Sequence, residues 1–163
     1  MTPMIDLAAV RKAFLEHHNA YRATHHSPAL AQKATLDATA QSWAEHLAST
    51  DDLAHSLTRG VGENLYLSAV VTTDALDPDA IAKNAVKAWY DEVVAYNYAT
   101  GRSTEVTGHF TQVVWKSTTH LGTGCVITTR PHRDSILVGI YVVCQYSPPG
   151  NMNRAYLTNV LKP

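Results

Sequence analysis

Residues 121–146, LGTGCVITTRPHRDSILVGIYVVCQY, decide the fold. The segments 121–129 and 136–146 are rich in Val, Ile, Thr and Tyr, the side chains that suit a pleated, half-buried surface. Pro131 to Ser135 interrupt the run, so the stretch reads as a β-hairpin. A turn centred near residue 134 would place Cys125 roughly opposite Cys144, and these are the only two cysteines of the chain. A disulfide between them is expected on that geometry, although a bond directly across a strand pair is often strained. The alternative is a pair of buried thiols acting as small hydrophobes. Gly122 and Gly124 resemble a dinucleotide-binding turn, but GTGCVI runs into a strand and not a helix, which excludes that motif.

Upstream of the hairpin the period changes to that of helices. Leu7, Val10, Phe14, Leu15, His18 and Tyr21 recur at helical spacing behind Asp6, a candidate N-cap. After a break at Ser27-Pro28, a second helix is marked by Leu36, Ala40, Trp43, Ala44 and Leu47. Asp77-Pro78 opens a third, an N-cap residue followed by proline at the first helical position, with Ile81, Ala85, Trp89 and Val93 as its buried stripe. Residues 50–73 and 97–108 read as long loops, and a short helix is expected over 110–116. Helices segregated from a terminal hairpin predict an α+β layered domain.

The chain has 163 residues, the size of one domain spanning 1–163. Hydrophobic residues make up 45% and charged residues 17%, which excludes disorder. Lys and Arg total 13 against 14 Asp and Glu, so there is no electrostatic footprint for nucleic acid or an anionic membrane. No apolar run approaches the roughly 18–20 residues of a transmembrane segment. The opening stretch MTPMIDLAAVRKAF is broken by Asp6, Arg11 and Lys12 and does not read as a signal peptide. The chain is therefore either intracellular or the mature form of a secreted protein.

Long loops in a small domain are usually functional or disordered. The first holds His55 and Glu63, the second leads into His109, and the third helix carries Glu92. Two imidazoles and two carboxylates suit zinc or a similar divalent ion. Their spacing matches no local metal motif, and spacing alone favours reading His55 and His109 as loop or capping histidines and Glu92 as a solvated helix residue. His17, His18, His25 and His26, near the end of the first helix, read as partners of its C-terminal dipole.

Several segments share a resemblance. HNAYRATHHSPAL (18–30), LDATAQSWAEHLA (36–48), GENLY (62–66), GHFTQVVWKSTTHLGTGC (108–125) and YVVCQYSPPGN (141–151) occur in the order of the motifs of the CAP superfamily. This superfamily, also called the SCP domain, comprises cysteine-rich secretory, antigen 5 and pathogenesis-related-one proteins. The chain is most similar to its fungal and plant secreted branch. The resemblance implies a three-layer α-β-α sandwich with a central cleft and an extracellular location. It maps the family's cleft tetrad onto His55, Glu63, Glu92 and His109. His55 and His109 would ligate a divalent metal, zinc by preference and weakly held, while Glu63 and Glu92 orient the imidazoles or hold a metal-bound water. Asn19, Arg22 and Asn64 would tie loops together. The chain departs from the family in having Gln32 at a usual tryptophan, few cysteines, and no proline-glycine pair after Tyr98.

Three functions compete. The first is a secreted carrier of sterols or related small lipids, bound through WYDEVVAYNYATG by Trp89, Tyr90, Tyr96 and Tyr98, whose rings bury area while a phenol meets a sterol hydroxyl. The second is a metal-dependent hydrolase with Glu63 or Glu92 as general base, one protein ligand short of the usual catalytic zinc site. The third is a secreted effector acting through a host or receptor protein.

Overall fold

The hairpin is the centre of the molecule. The computed structural model describes residues 4–163; residues 1–3 of the expected domain lie outside the described residues. Strands β3 (His120–His132) and β4 (Ser135–Ser147) pair antiparallel along their whole length. A two-residue strand β1 (Ala31–Gln32) lies parallel to β3, and β2 (Gly62–Thr72) lies antiparallel to β4, giving the sheet order β1-β3-β4-β2.

Helices cover both faces. Helix α2 (Ala34–Thr50) packs on one. Helices α1 (Leu7–Thr24), α3 (Pro78–Tyr90) and α4 (Gly108–Val113) pack on the other. A one-turn helix α5 (Tyr156–Asn159) closes the chain. The result is the α-β-α sandwich of an α+β fold. The apolar run of β4 follows from this layering, because successive side chains point to opposite faces and both are covered. Val142, Cys144 and Tyr146 join Phe14, Ile81, Trp89 and Phe110 in the larger core, while Tyr141 and Val143 join Ala40, Ala44, Leu47 and Leu65 in the smaller one. Each buried Val, Leu, Ile or Phe among them contributes about 1.5–3 kcal/mol. Gly122 and Gly124 let α2 rest directly on β3: a Cβ would fall 2.2 Å from the Leu36 carbonyl carbon at one and 2.4 Å from that of Ala40 at the other.

The caps are as expected. The Asp6 carboxylate accepts from the amides of Ala8 and Ala9 at 2.9 and 3.1 Å, and that of Asp77 accepts from Asp79 at 3.0 Å ahead of Pro78. Arg22 is fully buried with no carboxylate partner among the described residues; its guanidinium instead donates to the carbonyls of Pro28, Val113, Trp115 and Thr118 at 2.7–3.1 Å. Asn19 bonds both backbone groups of Leu30, so these two side chains do lace the loops.

Five expectations are corrected. Residues 62–72 form a strand and not part of a loop. As an edge strand between two helical layers, β2 buries the adjacent Asn64 and Leu65 and exposes Ala69 to Val71, so no period of two marks it. The short helix spans Gly108–Val113, and α3 ends at Tyr90, beyond which a 3₁₀ turn over Asp91–Ala95 leaves Val93 only half-buried. The disulfide is absent: the turn is the tight Arg133-Asp134 pair, so Cys125 stands opposite Val142 and Cys144 opposite Thr123. Both thiols are free and buried, and burial pushes that of Cys125 up to about 12. Finally, His18 and His25 serve the core and not the helix dipole. His18 Nδ1–H donates to the Phe14 carbonyl and its Nε2 accepts from the Tyr146 hydroxyl, both at 2.7 Å, and burial lowers its pKa to about 4.

Candidate metal and ligand site

The first residues of β2 alternate across the sheet and so reach both layers at once. Glu63 turns toward the α2 side, where Gln145 meets it; Thr39 of α2 donates to the side-chain amide oxygen Oε1 of Gln145 at 2.6 Å. Asn64 turns the other way and donates to the Tyr146 hydroxyl and the His109 carbonyl at 3.2 and 3.1 Å. The start of this edge strand therefore brings a loop from one layer against a helix from the other.

In the first half, His55 Nδ1–H donates to Glu63 Oε1 at 2.8 Å. The same oxygen accepts the Ser56 amide at 2.9 Å, while Oε2 accepts the Ser56 hydroxyl at 2.6 Å and the Gln145 amide at 3.0 Å. Burial opposes ionisation of Glu63, but the hydrogen bonds from His55, Gln145 and Ser56 outweigh it and hold the carboxyl at about 2. The bond to Glu63 raises the His55 pKa against the opposing effect of burial.

In the second half, His109 Nδ1–H donates to Glu92 Oε2 at 2.8 Å. Glu92 Oε1 accepts the amides of His109 and Phe110, at 2.9 and 3.0 Å, in the first turn of α4. Asn151 steadies that turn, donating to the Gly108 carbonyl at 2.9 Å and accepting from Thr111 at 2.6 Å.

Both imidazoles line one open cavity of about 160 Å³, together with Glu63, Asn64, Glu105, Gly108 and Asn151. With each Nδ1 committed to a carboxylate, each ring keeps Nε2 as its remaining donor atom. This is the arrangement in which a carboxylate fixes the tautomer and orientation of a metal-ligating histidine. Among the described residues, no group of three or more His, Cys, Asp or Glu is placed to hold a metal. The donor set fits a divalent ion held by two imidazoles and water, not a closed structural zinc site.

The aromatic segment is largely built into the core. Trp89 is 3% exposed, donates its indole N–H to the Leu65 carbonyl at 3.0 Å and stacks behind His109 with centroids 6.3 Å apart. Tyr90 stacks on Tyr21 at 3.9 Å and donates its hydroxyl to His25 Nε2 at 2.8 Å. Tyr96 is buried edge-on to Phe110, and Tyr98 lies edge-on to Tyr96 at 5.0 Å. The hydroxyls of Tyr96 and Tyr98 are buried with no hydrogen-bond partner among the described residues. Sequence reasoning missed Ser56, Gln145 and Asn151. Gln145 alone left a trace, as a polar residue inside the apolar run YVVCQY.

The fold and the paired histidine–carboxylate cleft define a CAP-domain protein, and the sequence pattern of the CAP, cysteine-rich secretory protein family matches residues 15–146. The chain belongs to that family. It is 37% identical over 161 residues to Secreted protein RBT4 of Candida albicans, covering 91% of this chain and 40% of that protein. It is 36% identical over 154 residues to Golgi-associated plant pathogenesis-related protein 1 of Homo sapiens, covering 91% of this chain and 90% of that one. The chain thus spans under half the length of RBT4 but most of the human relative. The crystal structure of NaASP2 with Zn2+ superposes with a TM-score of 0.65 at 25% identity, over 95% of this chain and 87% of that chain. Among the described residues, no helix is long and apolar enough to cross a membrane.

Proposed function

We propose that this protein is an extracellular binding protein that takes up a sterol or related small lipid, and that its two-histidine pocket holds a divalent cation, zinc by preference. The observation that carries a binding role over hydrolysis is the state of the two carboxylates. Glu63 accepts four hydrogen bonds and Glu92 three, all from groups that fix the loops and the imidazoles. A general base must instead offer a lone pair to a water in the cleft.

His55 and His109 would hold the cation through Nε2, with Glu63 and Glu92 keeping the rings in the donating tautomer. The zinc in the NaASP2 structure, a relative in fold, supports this reading. When bound, the ion supplies a positive charge that ties the loop of His55 to helix α4. Lipid uptake rests on Tyr98, whose hydroxyl, unpartnered among the described residues like that of Tyr96, would pair with a sterol hydroxyl. Trp89 and Tyr96 are core residues, so a ligand would meet the segment through Tyr98 and the loop over 97–107. Secretion is supported by the secreted relative RBT4.

The test is equilibrium binding of a radiolabelled sterol to the purified chain, with and without chelator. Saturable binding is expected, weakened several-fold by Tyr98→Phe, which keeps the ring and removes only the hydroxyl. Absence of saturable binding overturns the carrier reading. Equal binding by wild type and Tyr98→Phe removes this phenol from it.

A further inference from the structure

The two edges of the sheet are finished differently. On β3 the outward backbone groups are all taken over residues 121–125. The Leu121 carbonyl accepts the Lys33 amide, the Thr123 amide and carbonyl meet Asp37 and Arg11, and both backbone groups of Cys125 meet the Gln41 side chain, at 2.8–3.2 Å. Because odd residues of β3 face outward, the ladder makes the odd residues of β2 face outward as well. The outward carbonyl of Leu65 is taken by Trp89. Beyond it, Leu67, Ala69 and Val71 turn N–H and C=O to the outside with no partner among the described residues.

Native edges of this kind are normally blunted by charge, proline or a bulge. Residues 65–73, LYLSAVVTT, carry no charge and no proline, and β2 pairs with β4 in unbroken register. Leu67, Val70 and Val71 are 40%, 39% and 48% exposed. On the same face as Leu67, the sheet runs out beyond the end of α2 and leaves an open apolar groove of about 180 Å³, lined among others by Leu67, Ala69, Leu137, Gly139 and Tyr141.

We propose that the β2 edge is the docking surface for a second copy of this chain, joined by antiparallel β2–β2 pairing with the two-fold axis at Ala69. An antiparallel strand pair is self-complementary about such an axis, which is the requirement of a closed dimer. In this register Leu67 stands opposite Val71 of the other copy and Ala69 opposite Ala69. The paired stretch 67–71 carries no charge, and Glu63 and Asp74 both lie beyond it, so the strand pairs with itself without repulsion. The two apolar grooves then lie side by side across the axis, and the bare backbone groups of Leu67, Ala69 and Val71 are satisfied. This inference is independent of the lipid and metal readings.

Sedimentation velocity on the purified chain, from about 1 to 300 µM, should give a monomer–dimer equilibrium. Ala69→Pro removes one outward N–H, which an edge strand tolerates, and Val71→Lys adds a charge at the interface. Each should weaken dimerisation at least tenfold while circular dichroism and the melting temperature stay those of the wild type. The register is read by Ala69→Cys, whose symmetry-related Cα atoms would lie about 5.5 Å apart, within disulfide range. Val71→Cys would lie about 14 Å from its own copy and should not cross-link. A chain that stays monomeric throughout, a dimer indifferent to both edge substitutions, or equal cross-linking of the two cysteine variants overturns the proposal.

Discussion

The two halves of the pocket use the same pair of side chains at the same 2.8 Å separation, yet they are held by different means. Glu92 is anchored by two backbone amides in the first turn of α4, and the imidazole it orients belongs to that same turn and has Trp89 behind it. Glu63 is anchored by side chains as much as by backbone, and its imidazole stands on an irregular loop with 58% of its side chain exposed. One half is therefore made by the fold. In the other, a buried carboxylate makes the local structure, because Glu63 is the group through which Ser56, His55 and Gln145 are joined.

The largest way to break this comparison is to delete each carboxylate. Glu63 is 7% exposed in its side chain and Glu92 is 21% exposed. Glu63→Ala should cost about 2–4 kcal/mol, since buried donors lose a charged acceptor that water cannot replace, and Glu92→Ala about 1–2 kcal/mol, since water can reach the freed amides. Urea denaturation of the two variants checks the order. Equal losses would mean that the halves are equally dependent on their carboxylates.

Metal affinity sharpens the same contrast. Glu63→Gln and Glu92→Gln keep the shape of each half but no longer hold the imidazole through a charge. Each should weaken zinc binding about tenfold, the lower end of what such orienting partners contribute. His55→Ala and His109→Ala should leave no binding attributable to the pocket. Calorimetric titration with zinc separates the cases. A wild type that takes up no zinc would remove the metal reading, while unaltered affinity in both Gln variants would leave the metal and remove the orienting role of the carboxylates.

How far the sequence reached can be judged from the same residues. The hairpin and helices α1 to α3 were legible because each buries one continuous stripe or run. His55, Glu63, Glu92 and His109 were found as loop and helix residues but were joined only by resemblance, since no spacing tells that two layers meet at the start of β2. That strand was missed because its ends serve different needs: Asn64 and Leu65 are buried on opposite faces, and Ala69 to Val71 are bare. The cysteine pairing failed by the smallest margin. The turn is centred between Arg133 and Asp134, one residue earlier than a Cys125–Cys144 pairing requires, and that shift sets Cys144 opposite Thr123.

The smallest expected effect is the pH response of the exposed half. The Glu63 carboxyl lies below its ordinary value of 4.5, at about 2, so its contribution to stability is present above 4.5 and is lost as pH falls toward 2. The imidazole of His55 lies above its ordinary 6.5, so its contribution is present below 6.5 and is lost as pH rises through the raised value. These are two views of one bond and are not additive. Zinc needs the neutral imidazole, so its affinity should climb with pH until His55 has titrated. In Glu63→Gln the His55 midpoint should move down toward 6.5 and the climb in affinity should begin at lower pH. Titration of the His55 ring proton resonances by NMR reads the shift directly. A midpoint unmoved by Glu63→Gln would mean that the carboxylate positions this ring without setting its charge.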